Sequence, residues 1–467
     1  MARMARARSI YACSKCGAQQ AQWHGRCPEC GAWSTLVEEL VGGNANASAN
    51  MLQIEDRAAA TKLRPLREIS TDSTPRFATG IPELDRVLGG GLVPASVVLI
   101  GGEPGVGKST LALQLAVGLE RHGPFLYVTG EESPEQVRLR AQRLPRVPEE
   151  MLVFAETRVE EIATPWRERD PKVVLVDSIQ TMRTDRAESA PGSVAQVREC
   201  AAMLAASAKS HGAALILIGH VTKDGSLAGP RVLEHLVDVV LNFEGDRGQA
   251  FRLLRASKNR FGSTDEVGVF TMGAAGLEGV ANPSEMLLAE RQTGTAGSCI
   301  VPIVEGSRPM LVELQALVAP AGYGTARRTS VGIDDGRLAL LLAALDRRSD
   351  IDLVANDIYV NVAGGVRIAE PGADLALALA LASSRLDIPL PPDVAACGEV
   401  GLGGEIRRVS RIDLRLREAV RLGFRRVLIP AGAEEAARAP DDARVIPVAD
   451  VGAAVSWLRA SAAGNVP

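Results

Sequence analysis

Apolar residues between about positions 97 and 220 fall into short continuous runs separated by stretches of helical spacing. The runs at 97–101, 125–129, 173–177 and 215–219 are rich in β-branched residues and too short for helices, so each predicts a buried strand. Between them apolar positions recur three and four apart, as at 110–116. That alternation predicts an α/β domain, a mainly parallel sheet covered by helices. Beyond about Ala281 the rhythm changes. Residues 358–362 alternate like a strand, 372–383 form an apolar alanine-rich helix, and 398–409 read as a strand pair. An arginine-rich helix and an apolar run at 426–430 follow, which together predict a second, α+β domain. From Glu38 to about Ser70 the chain turns to Gly, Asn, Ala and Ser and reads as a flexible linker. The expected organisation is a small module at 1–37, a linker at 38–70, the α/β domain at 71–280 and the α+β domain at 281–467.

The first predicted strand runs into Gly102-Glu103-Pro104-Gly105-Val106-Gly107-Lys108-Ser109, followed by Thr110 and a helix. Glycines at these spacings let the backbone curl so that several N–H groups point at phosphates from a helix N-terminus. Lys108 would neutralise the β- and γ-phosphates and the Ser109 hydroxyl would bind Mg²⁺, so ATP is the expected cofactor. Two further strand ends carry acids. Asp177 closes the 173–177 run, where it would meet the Mg²⁺–water shell. Glu131 and Glu132 follow the 125–129 run, where hydrolysis needs a group to position the attacking water. Glu131 is favoured, although either acid could instead serve the N-terminus of the helix that starts near Ser133. His220, after the fourth run, is a candidate γ-phosphate sensor or an ordinary strand-end histidine.

Cys13-x-x-Cys16 and Cys27-x-x-Cys30 are separated by ten residues, the spacing of two knuckles whose thiolates converge on one metal. Zinc is expected, with an iron centre as the alternative. A segment this short has too little core to fold without metal, and four cysteines close the shell, so the site is structural. His24 lies between the pairs and reads as a solvated loop residue. Trp23, Arg26, Lys15 and Trp33 decorate the module. Cys200, Cys299 and Cys397 read as small buried hydrophobes.

Composition adds little beyond this. A net charge of −4 decides nothing about nucleic acid, because local patches matter more than the sum. Lysine is scarce against arginine, which draws attention to Lys108, Lys223 and Lys258. No apolar run reaches membrane-spanning length and the basic start lacks a following apolar core, so the expectation is a cytoplasmic protein. After the main sheet, Lys258-Asn259-Arg260-Phe261-Gly262 places two cations in one turn, suited to DNA phosphates or to ATP in a neighbouring subunit.

The cysteine knuckle, the phosphate loop preceded by Thr79-Gly80-Ile81-Pro82-Glu83-Leu84-Asp85, the Gly130-Glu131-Glu132-Ser133 segment and the Lys258–Gly262 turn occur in that order. In this combination the chain resembles the RadA/Sms family of bacterial DNA recombination and repair proteins over nearly its full length. The resemblance implies a RecA-like P-loop ATPase core, an N-terminal zinc finger and a C-terminal Lon-protease-like domain. It also implies a hexameric ATP-driven motor on single-stranded and branched DNA that drives branch migration with the RecA recombinase. Carried over by position, Lys258 and Arg260 would couple nucleotide state to DNA, within the turn completed by Asn259, Phe261 and Gly262. Loops at 183–192 and 223–231, the latter with Lys223, would face DNA. The alternatives are a regulatory ATPase acting on protein partners and an ATP-dependent protease. Lon proteases use a Ser–Lys dyad, whose positions fall nearest Ala373 and Asp413, and no lysine follows Lys258. Peptidase activity is therefore not expected. Eight arginines between Arg407 and Arg426 are read either as a solvated face or as a DNA-backbone surface.

Overall fold

A computed structural model describes residues 8–13, 18–33, 35–41, 75–220, 230–245, 251–322, 325–433 and 439–463. Its contacts divide the chain into two compact units, Met1–Arg247 with Arg252–Gly279, and Gly248–Phe251 with Val280–Pro467.

The first unit opens with a three-stranded antiparallel sheet of β1 (Arg8–Cys13), β2 (Gln19–Gln20) and β3 (Leu36–Val41), in the order β2-β1-β3. β3 continues to Val41, into a stretch that composition alone assigns to the linker. Next come α1 (Pro82–Leu88), β4 (Val97–Gly102), α2 (Lys108–Leu119), β5 (Phe125–Thr129), α3 (Pro134–Ala141) and β6 (Met151–Ala155). They are followed by α4 (Val159–Arg169), β7 (Val173–Asp177), α5 (Val194–His211), β8 (Ala214–Ile218), α6 (Pro230–Leu233) and β9 (Val239–Glu244). The strands pair in parallel in the order β9-β4-β8-β7-β5-β6. An antiparallel run of β10 (Arg252–Asn259), β11 (Val267–Gly273) and β12 (Gly276–Gly279) extends the sheet beyond β9.

The four apolar runs in the sequence are β4, β5, β7 and β8, each buried along its length because helices cover both faces. Alternate residues serve opposite cores. Val98, Ile100, Tyr127, Leu175 and Ile216 pack with Leu111, Leu115 and Leu119 of α2. Val97, Leu99, Val128, Val174 and Leu217 pack with Trp166 of α4 and Leu204 of α5. Gln114 of α2 clips this helix to β12, accepting from Leu277 N at 3.0 Å and donating to Leu277 O at 2.8 Å.

The second unit comprises α7 (Pro283–Leu288), β13 (Ser298–Glu305), β14 (Arg308–Pro320), β15 (Arg328–Val331), α8 (Asp335–Arg348), β16 (Asn356–Val362) and α9 (Asp374–Leu386). It continues with β17 (Val394–Ala396), β18 (Glu399–Val400), β19 (Ile406–Arg407), α10 (Ile412–Arg421), β20 (Arg426–Pro430), β21 (Arg444–Val448) and α11 (Val451–Ala462). A mixed sheet runs β15-β16-β14-β13-β17-β20-β21, and β18 pairs with β19 as the small hairpin expected after α9. α9 is buried from Asp374 through Ser383, which explains its all-round apolar sequence.

Candidate active site and metal centre

β4 ends at Gly102 and the chain curls through Glu103-Pro104-Gly105-Val106-Gly107 into α2. Gly105 and Gly107 take φ of 82° and 117°, a region that side chains resist. A Cβ on Gly107 would also stand 2.9 Å from Met272 Cε. Val106 is buried and pins the loop into the core. No side chain caps the N-terminus of α2, so the loop's donors remain for an anion. Lys108 is only 4% exposed and folds back over the loop, donating to Gly102 O at 2.7 Å and Glu103 O at 2.9 Å. Burial pulls its pKa down to about 8, against the opposing pull of the Asp177 and Glu131 carboxylates. A buried cation held so weakly is suited to an incoming polyphosphate. Ser109 and Thr110 follow it, half-buried.

Asp177, at the end of β7, is buried, and Tyr127 of β5 donates its hydroxyl to Asp177 Oδ2 at 2.6 Å. Burial and the neighbouring carboxylate push the Tyr127 phenol well above its ordinary range, so it stays a donor. The two acids after β5 part ways. Glu132 turns to an ion pair with Arg140, whereas Glu131 Oε1 accepts from Ser178 Oγ at 2.5 Å and lies 3.3 Å from His220 Nε2. The Nδ1 of His220 is buried without a hydrogen-bond partner among the described residues. Lys108, Glu131, Asp177 and His220 thus gather at the C-terminal ends of β4, β5, β7 and β8, where open α/β sheets bind ligands. Sequence reasoning missed Tyr127 and Ser178. Ser178 had a signal, since it directly follows Asp177; Tyr127 had none, because an aromatic inside a buried strand reads as core.

The Lys258–Gly262 turn lies at the opposite end of the sheet. Asn259 is in register with Val239, which pairs with Val98 near the start of β4. Lys258, read from the sequence as a cation facing phosphate, instead donates to Glu234 O at 2.5 Å and Val237 O at 2.8 Å. Those carbonyls follow α6 and need donors, which Lys258 supplies. Asn259 bridges Val87 O at 3.2 Å and Phe261 N at 2.9 Å, and Phe261 packs against the core. The Arg260 side chain stays 55% exposed, 3.2 Å from Asp238 Oδ1, while Asp238 Oδ2 accepts from Val97 N at 3.0 Å. Lys223 lies outside the described residues.

In the small module, Cys13, Cys27 and Cys30 bring their sulfurs within 4.8 Å of one another, with Cys13 Sγ 3.7 Å from Cys30 Sγ. Gly31, at φ 72°, lets its N–H fold back onto Cys27 O at 2.9 Å. Converging thiols fit a tetrahedral thiolate site for zinc, with Cys16, outside the described residues, as the fourth ligand by spacing. His24 is exposed and outside this cluster.

The corner of the second unit that corresponds to a Lon dyad holds different chemistry. Ala373 is buried and offers no nucleophile, and Asp413 pairs with Arg417 at 2.5 Å. Arg415, 1% exposed, grips both carboxylate oxygens of Glu370 at 2.9 and 2.6 Å and donates to Pro302 O at 2.6 Å. This corrects the reading of the arginine-rich segment as one charged surface. Arg415 points into the core, Arg421 pairs with Glu418 at 2.9 Å, and Arg426 pairs with Asp393. Helical periodicity turned Arg415 inward, and neighbouring acids engage Arg407, Arg417, Arg421 and Arg426.

Comparison with known proteins agrees with this division. Residues 11–38 match the rubredoxin metal binding domain, 62–226 the AAA domain, and 344–446 the Lon protease (S16) C-terminal proteolytic domain. The chain is 48% identical to the DNA repair protein RadA of Bacillus subtilis over 99% of this chain and 100% of that protein. It is 50% identical to DNA repair protein RadA of Pseudomonas aeruginosa over 92% of this chain and 94% of that protein. The corresponding protein of Brucella abortus is 47% identical over 99% and 100%. The AAA match and the phosphate loop make this chain a nucleotide-binding, ATP-hydrolysing enzyme. No helix among the described residues is long and apolar enough to cross a membrane. Identity of this depth runs through all three matched regions and not through the phosphate loop alone, so the chain belongs to the DNA repair protein RadA family.

Proposed function

We propose that this chain is a DNA-stimulated ATPase that assembles as a hexameric ring, moves along single-stranded DNA and drives branch migration of recombination intermediates alongside a RecA recombinase. Lys108 and the loop donors from Gly102 to Thr110 hold the triphosphate. Ser109 and Asp177 would hold Mg²⁺, which neutralises phosphate charge. Tyr127 fixes one oxygen of Asp177 and so sets the direction of the other. Glu131 orients the attacking water, and its ties to Ser178 and His220 hold it before nucleotide arrives. His220, with one ring nitrogen unsatisfied, is suited to register the γ-phosphate. The Lon-type unit serves as a scaffold rather than a peptidase.

One observation carries the assembly part of this reading. The Lys258–Gly262 turn sits level with the start of β4, whereas the phosphate loop sits at its end. At about 3.3 Å per residue the two are separated by roughly 13 Å along the strand, beyond the reach of Arg260 to its own subunit's phosphates. Its exposed guanidinium is instead available to a neighbouring subunit's nucleotide or to DNA, with Lys258 anchoring the turn. The test is ATP turnover by purified protein with and without single-stranded or forked DNA, with Lys108→Ala as the blank. Stimulation by DNA that Arg260→Ala abolishes, with nucleotide affinity intact, is the expected result. Turnover indifferent to DNA, with no retention of DNA, would remove the motor reading.

A further inference from the structure

The cysteine module has almost no core. Among the described residues its buried apolar side chains are Cys13, Cys27 and Leu36. Yet two of the chain's four tryptophans lie in it and neither joins that core. Trp23 is 58% exposed and Trp33 73%. A fold so short of apolar surface would gain by burying an indole, so leaving both in water runs against its own stability.

The two rings share a neighbour. A Cβ on Gly25 would stand 3.8 Å from Trp23 Cη2 and 3.9 Å from Trp33 Cζ3, so the glycine leaves a gap bordered by both indoles. Arg26 and Trp33 face each other across an antiparallel bridge spanning the second knuckle. The guanidinium lies 5.9 Å from the Trp33 ring centroid, held there by a 2.8 Å hydrogen bond from Nε to Gly31 O. Arg26 makes no ion pair among the described residues, so its terminal N–H groups remain donors for an anion. Gln22, His24, Pro28 and Glu29 around the pair are exposed and, Pro28 apart, polar. The apolar area is therefore small and confined to two flat faces. That suits a planar aromatic ring with a nearby phosphate better than a protein surface, whose docking needs a wider patch.

We propose that Trp23 and Trp33 form a base-stacking slot for single-stranded DNA, with Arg26 meeting the adjoining phosphate. The slot deepens the DNA-acting reading above and rests on it.

The chain carries its own probe, because Trp166 is 1% exposed and the Trp457 indole nitrogen is buried, so quencher-accessible emission comes chiefly from Trp23 and Trp33. Full-length zinc-loaded protein is titrated with an oligothymidylate, without nucleotide, while tryptophan emission and iodide quenching are followed. The expected result is emission quenching, protection from iodide, and about tenfold weaker binding by the Trp23→Ala/Trp33→Ala double variant. Zinc content per chain and DNA-free ATP turnover establish that this variant is folded. A Trp23→Phe/Trp33→Phe variant, which keeps flat faces, should recover most of the affinity. Equal affinity of wild type and the folded alanine variant would overturn the slot while leaving the motor reading standing. Absence of any oligonucleotide binding by wild type would overturn both.

Discussion

The loop end of β4 and the start of α9 each set a buried cation among carboxylates, and treat it in opposite ways. Beside β4, Lys108 donates to backbone carbonyls, Asp177 is held by a neutral phenol, and Glu131 is held by a hydroxyl and a histidine. Among the described residues neither Lys108 nor Asp177 is locked in an ion pair, so both remain available to a ligand. Beside α9, Arg415 closes on both oxygens of Glu370, and Arg337 closes in the same manner on buried Asp374. There each charge already has an opposite partner at full contact. Buried ionisable groups therefore mark chemistry only where their partners are not opposite charges at full contact.

The sharpest way to break this contrast is at Glu131. Glu131→Gln should cut ATP turnover by about 10²–10⁴-fold with nucleotide affinity unchanged, read by turnover against equilibrium binding of a fluorescent nucleotide. Glu132→Gln should leave turnover within a few-fold, since that acid serves Arg140. An equal loss from both substitutions would dissolve the distinction drawn between the two acids.

The next largest effect lies in the second unit. Glu370→Ala strands the buried Arg415 charge and should cost about 3–5 kcal/mol in denaturant unfolding, whereas Glu370→Leu with Arg415→Met should cost much less. Similar losses in the two variants would mean that shape, not the paired charge, matters at that corner.

A smaller effect follows from Lys108, whose pKa falls from 10.5 to about 8 on burial. Between those values the unfolded chain holds the extra proton, so stability of the nucleotide-free protein should rise with pH from about 8 to about 10.5. Nucleotide affinity should move the other way, weakening above pH 8 as the loop lysine loses its charge. Chemical denaturation and nucleotide titrations across that range test both, and Lys108→Ala should abolish the stability difference. The smallest effect is at Ser178. Ser178→Ala should lower turnover about fivefold at constant KM, the loss of one charge-assisted hydrogen bond to Glu131.

The strands of the parallel block were legible because β4, β5, β7 and β8 are buried on both faces and read as unbroken apolar runs. β6 was not, since it lies at the sheet edge and is only half-buried. β11 and β12 were missed because antiparallel strands mix polar and apolar positions without a motif to frame them. Within the site, Lys108 and Asp177 announced themselves by position in a strand–loop pattern. The difference between Glu131 and Glu132 depends on Ser178 and Arg140, which meet them only after folding. The same limit hid Arg415, whose inward turn depends on Glu370, far away in the sequence.

Gln114 gives the phosphate-loop helix a further part to play. Its amide holds both the N–H and the C=O of Leu277, so α2 and β12 form one mechanical piece. β12 ends at Gly279, the last residue of its compact unit. The phosphate-loop end of α2 and the last strand of its unit are therefore tied together within two turns of helix.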